Sequence, residues 1–245
     1  MSVTFAVDAE MPYATVRTRF SPGEGLRLDE PYRRAHLPLI APEHPDVIAD
    51  GGGYRMGVHA PGYSLVLPID AEALAESPAY RDLEAALKAA PFAAKIAWDL
   101  LPKRAARLHA TIAGNLEVTD GRLPEPQRAA LEGIPAIPYE LRGLFSGNRN
   151  LGRLYLAVYP ELWADEPAFA AVQRALDRAP NAMILMGQFN LVDHLDAREA
   201  AALAGLLDVF RETLFLTATV RELGVLRSAD DLVLDAAYTD RLRLR

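Results

Sequence analysis

One order of elements runs through the chain twice, and this recurrence restricts the fold more than any single residue does. After Gly62, Tyr63-Ser64-Leu65-Val66-Leu67-Pro68-Ile69 reads as a strand closed by proline and Asp70. A helix is predicted from Ser77 to about Ala90, because Ser77-Pro78 supplies an N-cap followed by proline at the first helical position. A helical or irregular stretch from Lys95 to Leu101 leads to an apolar strand around His109, a helix over 124–132 and a strand over 137–145. The second pass opens at Gly152 with Arg153-Leu154-Tyr155-Leu156-Ala157-Val158-Tyr159-Pro160, again glycine first and proline last. Pro167 to Ala179 has helical period, with Phe169, Val172 and Leu176 on one stripe, and Ala182 to Val192 suits a buried strand. Asp196 to Thr213 begins with the capping box of Asp196 and Glu199. Two closing strands, Val220 to Leu226 and Asp231 to Ala236, are expected to be joined by a polar turn over 227–230. The predicted architecture is α+β: a two-lobed, duplicated β-α-β-α-β arrangement around a central cleft, with lobes at about 61–150 and 151–245.

Residues 1–60 have a different character, rich in proline, glycine and charge without a sustained period. They read as an N-terminal extension of short strands and loops packed on or over the core, ending at a flexible hinge, Gly51-Gly52-Gly53. The formal charge of -7 gives no general attraction for duplex nucleic acid or a membrane surface, so any bound anion needs a local cluster of donors. With no cysteine, disulfides, thiolate metal sites and cysteine nucleophiles are excluded. No histidine pair has the spacing of zinc ligands, and the glycine triplet lacks the lysine and hydroxyl residue of a phosphate-binding loop; neither metal nor cofactor is expected. The N-terminus has early acidic residues and no basic-then-apolar signal, and no run approaches about 18 apolar residues, so a cytoplasmic location is expected.

The chemistry concentrates on Arg107-Leu108-His109-Ala110-Thr111-Ile112. Residues i and i+2 of a strand share a face, so His109 and Thr111 project side by side while Leu108, Ala110 and Ile112 face the other layer. If the two passes are equivalent, the residue matching His109 is Asn190, with Val192 in place of Thr111; His194 lies four residues further on. Arg107, Arg142, Arg153 and Arg227 stand in or beside predicted strands, where guanidinium groups could grip a phosphate, and Arg153 is the substrate-binding candidate among them. Tyr63 and Tyr155 hold similar places in the two opening strands and could stack on a base. His36, His44 and His59 fall in proline-rich or entering segments and read as surface or hinge residues.

His109-Ala110-Thr111-Ile112 resembles the His-x-Thr strand motif of the 2H phosphoesterase superfamily, which includes 2'-5' RNA ligase-like proteins and cyclic phosphodiesterases. The run Val220 to Ser228, followed by Tyr238, is similar to the closing hairpin of that family, and the resemblance extends from Gly62 to the C-terminus. It implies a cleft between two lobes, each contributing one such strand, and metal-independent chemistry on a cyclic nucleotide phosphate or a short 2'-5' or 2',3'-cyclic RNA end. His109 is then catalytic, Thr111 binds phosphate oxygens, and the second motif is degenerate at Asn190. Asparagine cannot exchange a proton usefully at neutral pH, a loss on the order of 10²–10⁴ in rate. The alternative is a catalytically silent nucleotide- or phosphate-binding protein that keeps the fold.

Overall fold

The computed structural model describes residues 3–245 as an α+β protein built on a large antiparallel sheet. Its strands are β1 (Asp50–Gly51), β2 (Tyr54–Arg55), β3 (Val58–Pro68), β4 (His109–Ala113), β5 (Ile137–Ser146) and β6 (Arg153–Pro160), followed by β9 (Leu185–Asn190), β10 (Leu214–Val220), β11 (Glu222–Asp230) and β12 (Ala236–Arg243); β7 (Leu162–Trp163) and β8 (Glu166–Pro167) form a separate hairpin. Across the sheet the order is β12, β11, β3, β4, β9, β6, β5, β10, with the β1–β2 hairpin joined to the start of β3. The helices are α1 (Tyr13–Val16), α2 (Glu30–Ala35), α3 (Leu37–Ile40), α4 (Ala71–Glu76), α5 (Pro78–Ala89), α6 (Leu100–Arg104), α7 (Glu125–Glu132), α8 (Phe169–Ala175) and α9 (Ala197–Val209).

Local chemistry explains most of these elements. Ser77 caps α5, and Asp196 with Glu199 forms the reciprocal box that starts α9. Helix α8 is shorter than its apolar period suggested: Asp177 turns left-handed at φ 58°, and the Arg178 N–H returns to the Gln173 carbonyl at 2.9 Å. The helix expected to run to Thr213 stops at Val209, and Leu214-Phe215-Leu216-Thr217-Ala218-Thr219-Val220, for which no element is predicted before Val220, pairs with β5 as strand β10. The polar turn expected over 227–230 is also displaced, because β11 continues to Asp230. The turn follows instead, fixed by the Asp230 carboxylate, which accepts the N–H groups of Leu232, Leu234 and Asp235 at 2.9, 3.0 and 2.7 Å.

The first sixty residues carry three short helices where strands and loops were expected. At Gly51-Gly52-Gly53 the expected hinge is a tight hairpin connection: Gly52 and Gly53, at φ 58° and 84°, form the two-residue turn between β1 and β2. Leu26, Leu28, Tyr32 and Leu37 are buried in the main core. The Tyr13 hydroxyl lies 2.7 Å from the carbonyls of both Val158 and Ile184, and the Tyr32 hydroxyl donates to Leu191 at 2.7 Å. Gly152 makes this packing possible. Its φ of 123° disfavours any side chain, and an added Cβ would lie 2.8 Å from the Tyr32 ring. Gly152→Ala is therefore expected to destabilise the fold by about 2–3 kcal/mol, through overpacking and backbone strain. Urea unfolding would measure it, and an unchanged midpoint would contradict this account of the packing.

Candidate functional site

The long strand β3 creates the site because its two edges are covered over different lengths. Strand β11 runs along it from Val58 to Val66, whereas β4 pairs only with Leu65 to Pro68. Gly62, Tyr63 and Ser64 thus stand beyond the reach of β4 and line a groove of about 440 Å³. Its other walls come from His109 and Thr111 of β4, Leu185 and Gly187 of β9, Arg153 and Tyr155 of β6, Asp230 at the end of β11, and Asp231 and Val233 after it.

His109 and Thr111 share a face, as strand parity requires. The His109 Nδ1 donates to the Arg107 carbonyl at 2.7 Å, which leaves Nε2 as an acceptor. Burial lowers the His109 pKa to about 4; the Arg107 bond opposes the shift, and the charges of Arg104 and Arg153 add to it. The ring is therefore neutral at pH 7, with its Nε2 lone pair free. Register decides what faces it. Ala110 is paired with Met186, so Gly187 lies across from His109 and Leu185 across from Thr111.

Gly187 matters for the atom it lacks. A Cβ there would overlap the Arg153 guanidinium, which lies along β9 at this position. Arg153 Nη1 donates to the Asp231 carbonyl at 3.2 Å, its guanidinium carbon sits 5.4 Å from the Tyr155 ring centre, and its Nε is unpartnered. Beside it, buried Arg104 donates through Nη2 to the Gly187 carbonyl at 2.9 Å. Burial lowers the Arg104 pKa to about 9, and the neighbouring Arg153 charge contributes. At the other end of the groove, the Tyr54 hydroxyl donates to Asp231 Oδ2 at 3.0 Å, and His59 Nε2 lies 3.5 Å from Oδ1. Burial and the Asp231 charge push the Tyr54 phenol up to about 12, which keeps it a donor.

Of the residues singled out in the sequence, His109, Thr111, Arg153, Tyr63 and Tyr155 meet in this groove. Asn190 does not line it. It is wholly buried, donating to the Tyr32 hydroxyl at 3.3 Å, because the crossing of β4 and β9 falls four residues earlier, at Met186. A bulge at Gln188, where the pairing shifts between Leu154–Phe189 and Tyr155–Gly187, also changes the strand parity on which the Asn190 expectation rested. His194 is bound elsewhere, accepting the Leu28 N–H at 2.9 Å and lying 2.5 Å from Asp46. Arg107 bonds the carbonyls of Ala236 and Lys103, Arg142 pairs with Glu140, and Arg227 lies 3.7 Å from Asp235. Sequence reasoning missed Tyr54, His59, Gly187 and Asp231. Only Gly187 left a signal, since a glycine inside an apolar strand marks close approach by another group.

His36, read as a surface or hinge residue, is wholly buried and stacked on Tyr32 with ring centres 4.9 Å apart. Both ring nitrogens lack partners, and burial, aided by Arg153 and Arg104, holds its pKa well below the ordinary value. His36 and His109 are thus neutral in the folded state at pH values where the unfolded chain binds protons. Since the folded values are depressed, stability is full above about pH 6.5 and declines as pH falls towards the folded values, by up to about 1.4 kcal/mol per pH unit for each ring. His36→Phe is expected to flatten this decline. Urea unfolding at pH 7, 6 and 5 checks it, and parallel pH dependences for variant and wild type would contradict it.

Among the described residues, no group of three or more histidine and carboxylate side chains is arranged to hold a metal ion, and no helix is long and apolar enough to cross a membrane. No protein-family model matches the chain, and neither does any curated protein.

Proposed function

We propose that the groove binds a phosphate ester and that the protein is a phosphoesterase-like protein with a single proton-accepting histidine. The observation carrying this reading is the convergence of His109, Thr111 and the carboxylate-free guanidinium of Arg153 on one cavity. Arg153 and the Thr111 hydroxyl supply donors for phosphate oxygens, and His109 Nε2 takes a proton from the attacking hydroxyl or water. The ester class proposed is a cyclic nucleotide phosphate or a short 2'-5' or 2',3'-cyclic RNA end, with Tyr63 available to a base.

The strand order supports a duplication and, through it, the 2H phosphoesterase resemblance. About the Ala110–Met186 crossing, β3 and β11 lie outside β4 as β6 and β5 lie outside β9. The approximate two-fold axis carries His109 onto Leu185 and Thr111 onto Gly187. Leu185-Met186-Gly187 then takes the place of the second His-x-Thr motif, and Arg153 fills the space left by the missing hydroxyl side chain.

Leucine at this position favours a second reading, ligand binding without turnover, because no imidazole on β9 can protonate the leaving oxygen. Titrating the protein with 2',3'-cyclic nucleotides while following hydrolysis distinguishes the two. Binding with His109-dependent turnover supports an enzyme, binding alone supports a silent receptor, and no binding overturns the phosphate reading.

A further inference from the structure

Arg153 and Asp231 touch without neutralising each other. The guanidinium donates to the Asp231 carbonyl at 3.2 Å, while the carboxylate of that same residue turns towards Tyr54 and His59. Opposite charges this close attract strongly in a partly buried groove, and an ordinary structural pair would close. Here both remain available to the same cavity, a cation at the His109–Gly187 crossing and an anion beside it.

The surroundings of the carboxylate fit a positively charged nitrogen. His59 Nδ1 lies 2.7 Å from the Ala60 carbonyl, an acceptor only, so the hydrogen resides on Nδ1. The Nε2 of the same ring faces Asp231 Oδ1 across 3.5 Å, longer than an ordinary hydrogen bond. An ammonium nitrogen set beside this gap can donate to the carboxylate. Tyr54 and Tyr63 also line this part of the groove, and aromatic faces attract an ammonium group.

We propose that the ligand is zwitterionic: a phosphate ester whose phosphate lies on Arg153 and Thr111 and whose ammonium group lies against the Asp231 carboxylate. This rests on the phosphate site proposed above and goes beyond the nucleotide class named there, because a nucleotide carries no ammonium group. Because Arg153 contacts the backbone of the residue that bears the carboxylate, the two ligand charges need be only a few bonds apart. A primary ammonium fits better than a quaternary one, since a carboxylate accepts N–H donors.

Calorimetric titration of the full chain with three small probes tests this: O-phosphoethanolamine, its N-acetyl derivative and ethyl phosphate. The first is expected to bind about tenfold more tightly than the other two, the effect of one charge-assisted interaction. In D231N, which can still accept the Tyr54 hydroxyl, this ratio should fall to about one. Equal affinities of the wild-type protein for all three probes would overturn the zwitterion and leave the phosphate site standing. A tenfold preference that persists in folded D231N would overturn the assignment to Asp231. Failure of all three to bind while 2',3'-cyclic nucleotides still bind would overturn the zwitterion alone, and failure of both sets would remove the phosphate reading with it. The wild-type comparison needs no variant to fold.

Discussion

Replacing His109 with alanine is expected to lower any turnover of 2',3'-cyclic nucleotides by about 10²–10⁴-fold while changing ligand affinity only a few-fold. The size follows from the loss of a positioned general base. The selectivity for turnover follows from the anion contacts, which Arg153 and Thr111 retain. Nδ1 is committed to the Arg107 carbonyl, so Nε2 alone can accept the proton, and His109→Gln should be as inactive as alanine despite its polarity. The pH profile provides an independent check. Since the free-enzyme His109 pKa is lowered to about 4, kcat/KM should stay level from pH 8 to pH 6 and decline only as that value is approached. A base-limb pKa near 6.5 would contradict the environment described for this ring, and equal rates for wild type and His109→Ala would remove His109 from the chemistry.

Gly187→Ala is expected to weaken binding of a phosphate ester by about 30–100-fold, although it adds only a methyl group. The new Cβ would occupy the space of the Arg153 guanidinium, so the side chain must leave the His109 crossing. Loss of a bidentate, charge-assisted contact is worth about 2–3 kcal/mol, which corresponds to this range of affinity. A double-mutant cycle isolates the cause. Arg153→Met should weaken binding by a similar factor, and adding Gly187→Ala to it should cost little more, because the clashing guanidinium is already gone. Additive losses would show that glycine serves the strand itself, and full affinity in Gly187→Ala would move the phosphate away from Arg153.

How far the sequence could be read depended on the range over which each feature is determined. Ser77-Pro78 and the Asp196–Glu199 box act within one helical turn, and both start helices as expected. Asp177 and Asp230 acted over a few residues but were harder to see: the first ended α8 early, and the second moved the β11–β12 turn beyond 227–230. The alternation in β10 lies between a predicted helix ending at Thr213 and a predicted strand opening at Val220, and its first six residues carry no prediction. In the N-terminal segment, Tyr32 and His36 gave no periodic signal because their burial comes from docking against distant residues.

The same distinction applies to the candidate site. By itself the sequence determined that His109 and Thr111 share a face, because the two-residue period of a strand is local to the backbone. It also limited any anion site to a local cluster, because the net charge is -7. Only the tertiary structure decided what stands opposite. The pairing of Ala110 with Met186 joins residues far apart in the chain, and a bulge at Gln188 resets the parity beyond it. These two features replace Asn190 with Leu185 and Gly187, seat Arg153 in the space glycine leaves, and bring Asp231 beside it. Cross-strand register is fixed by the packing of whole elements, so no window of sequence could have named those neighbours.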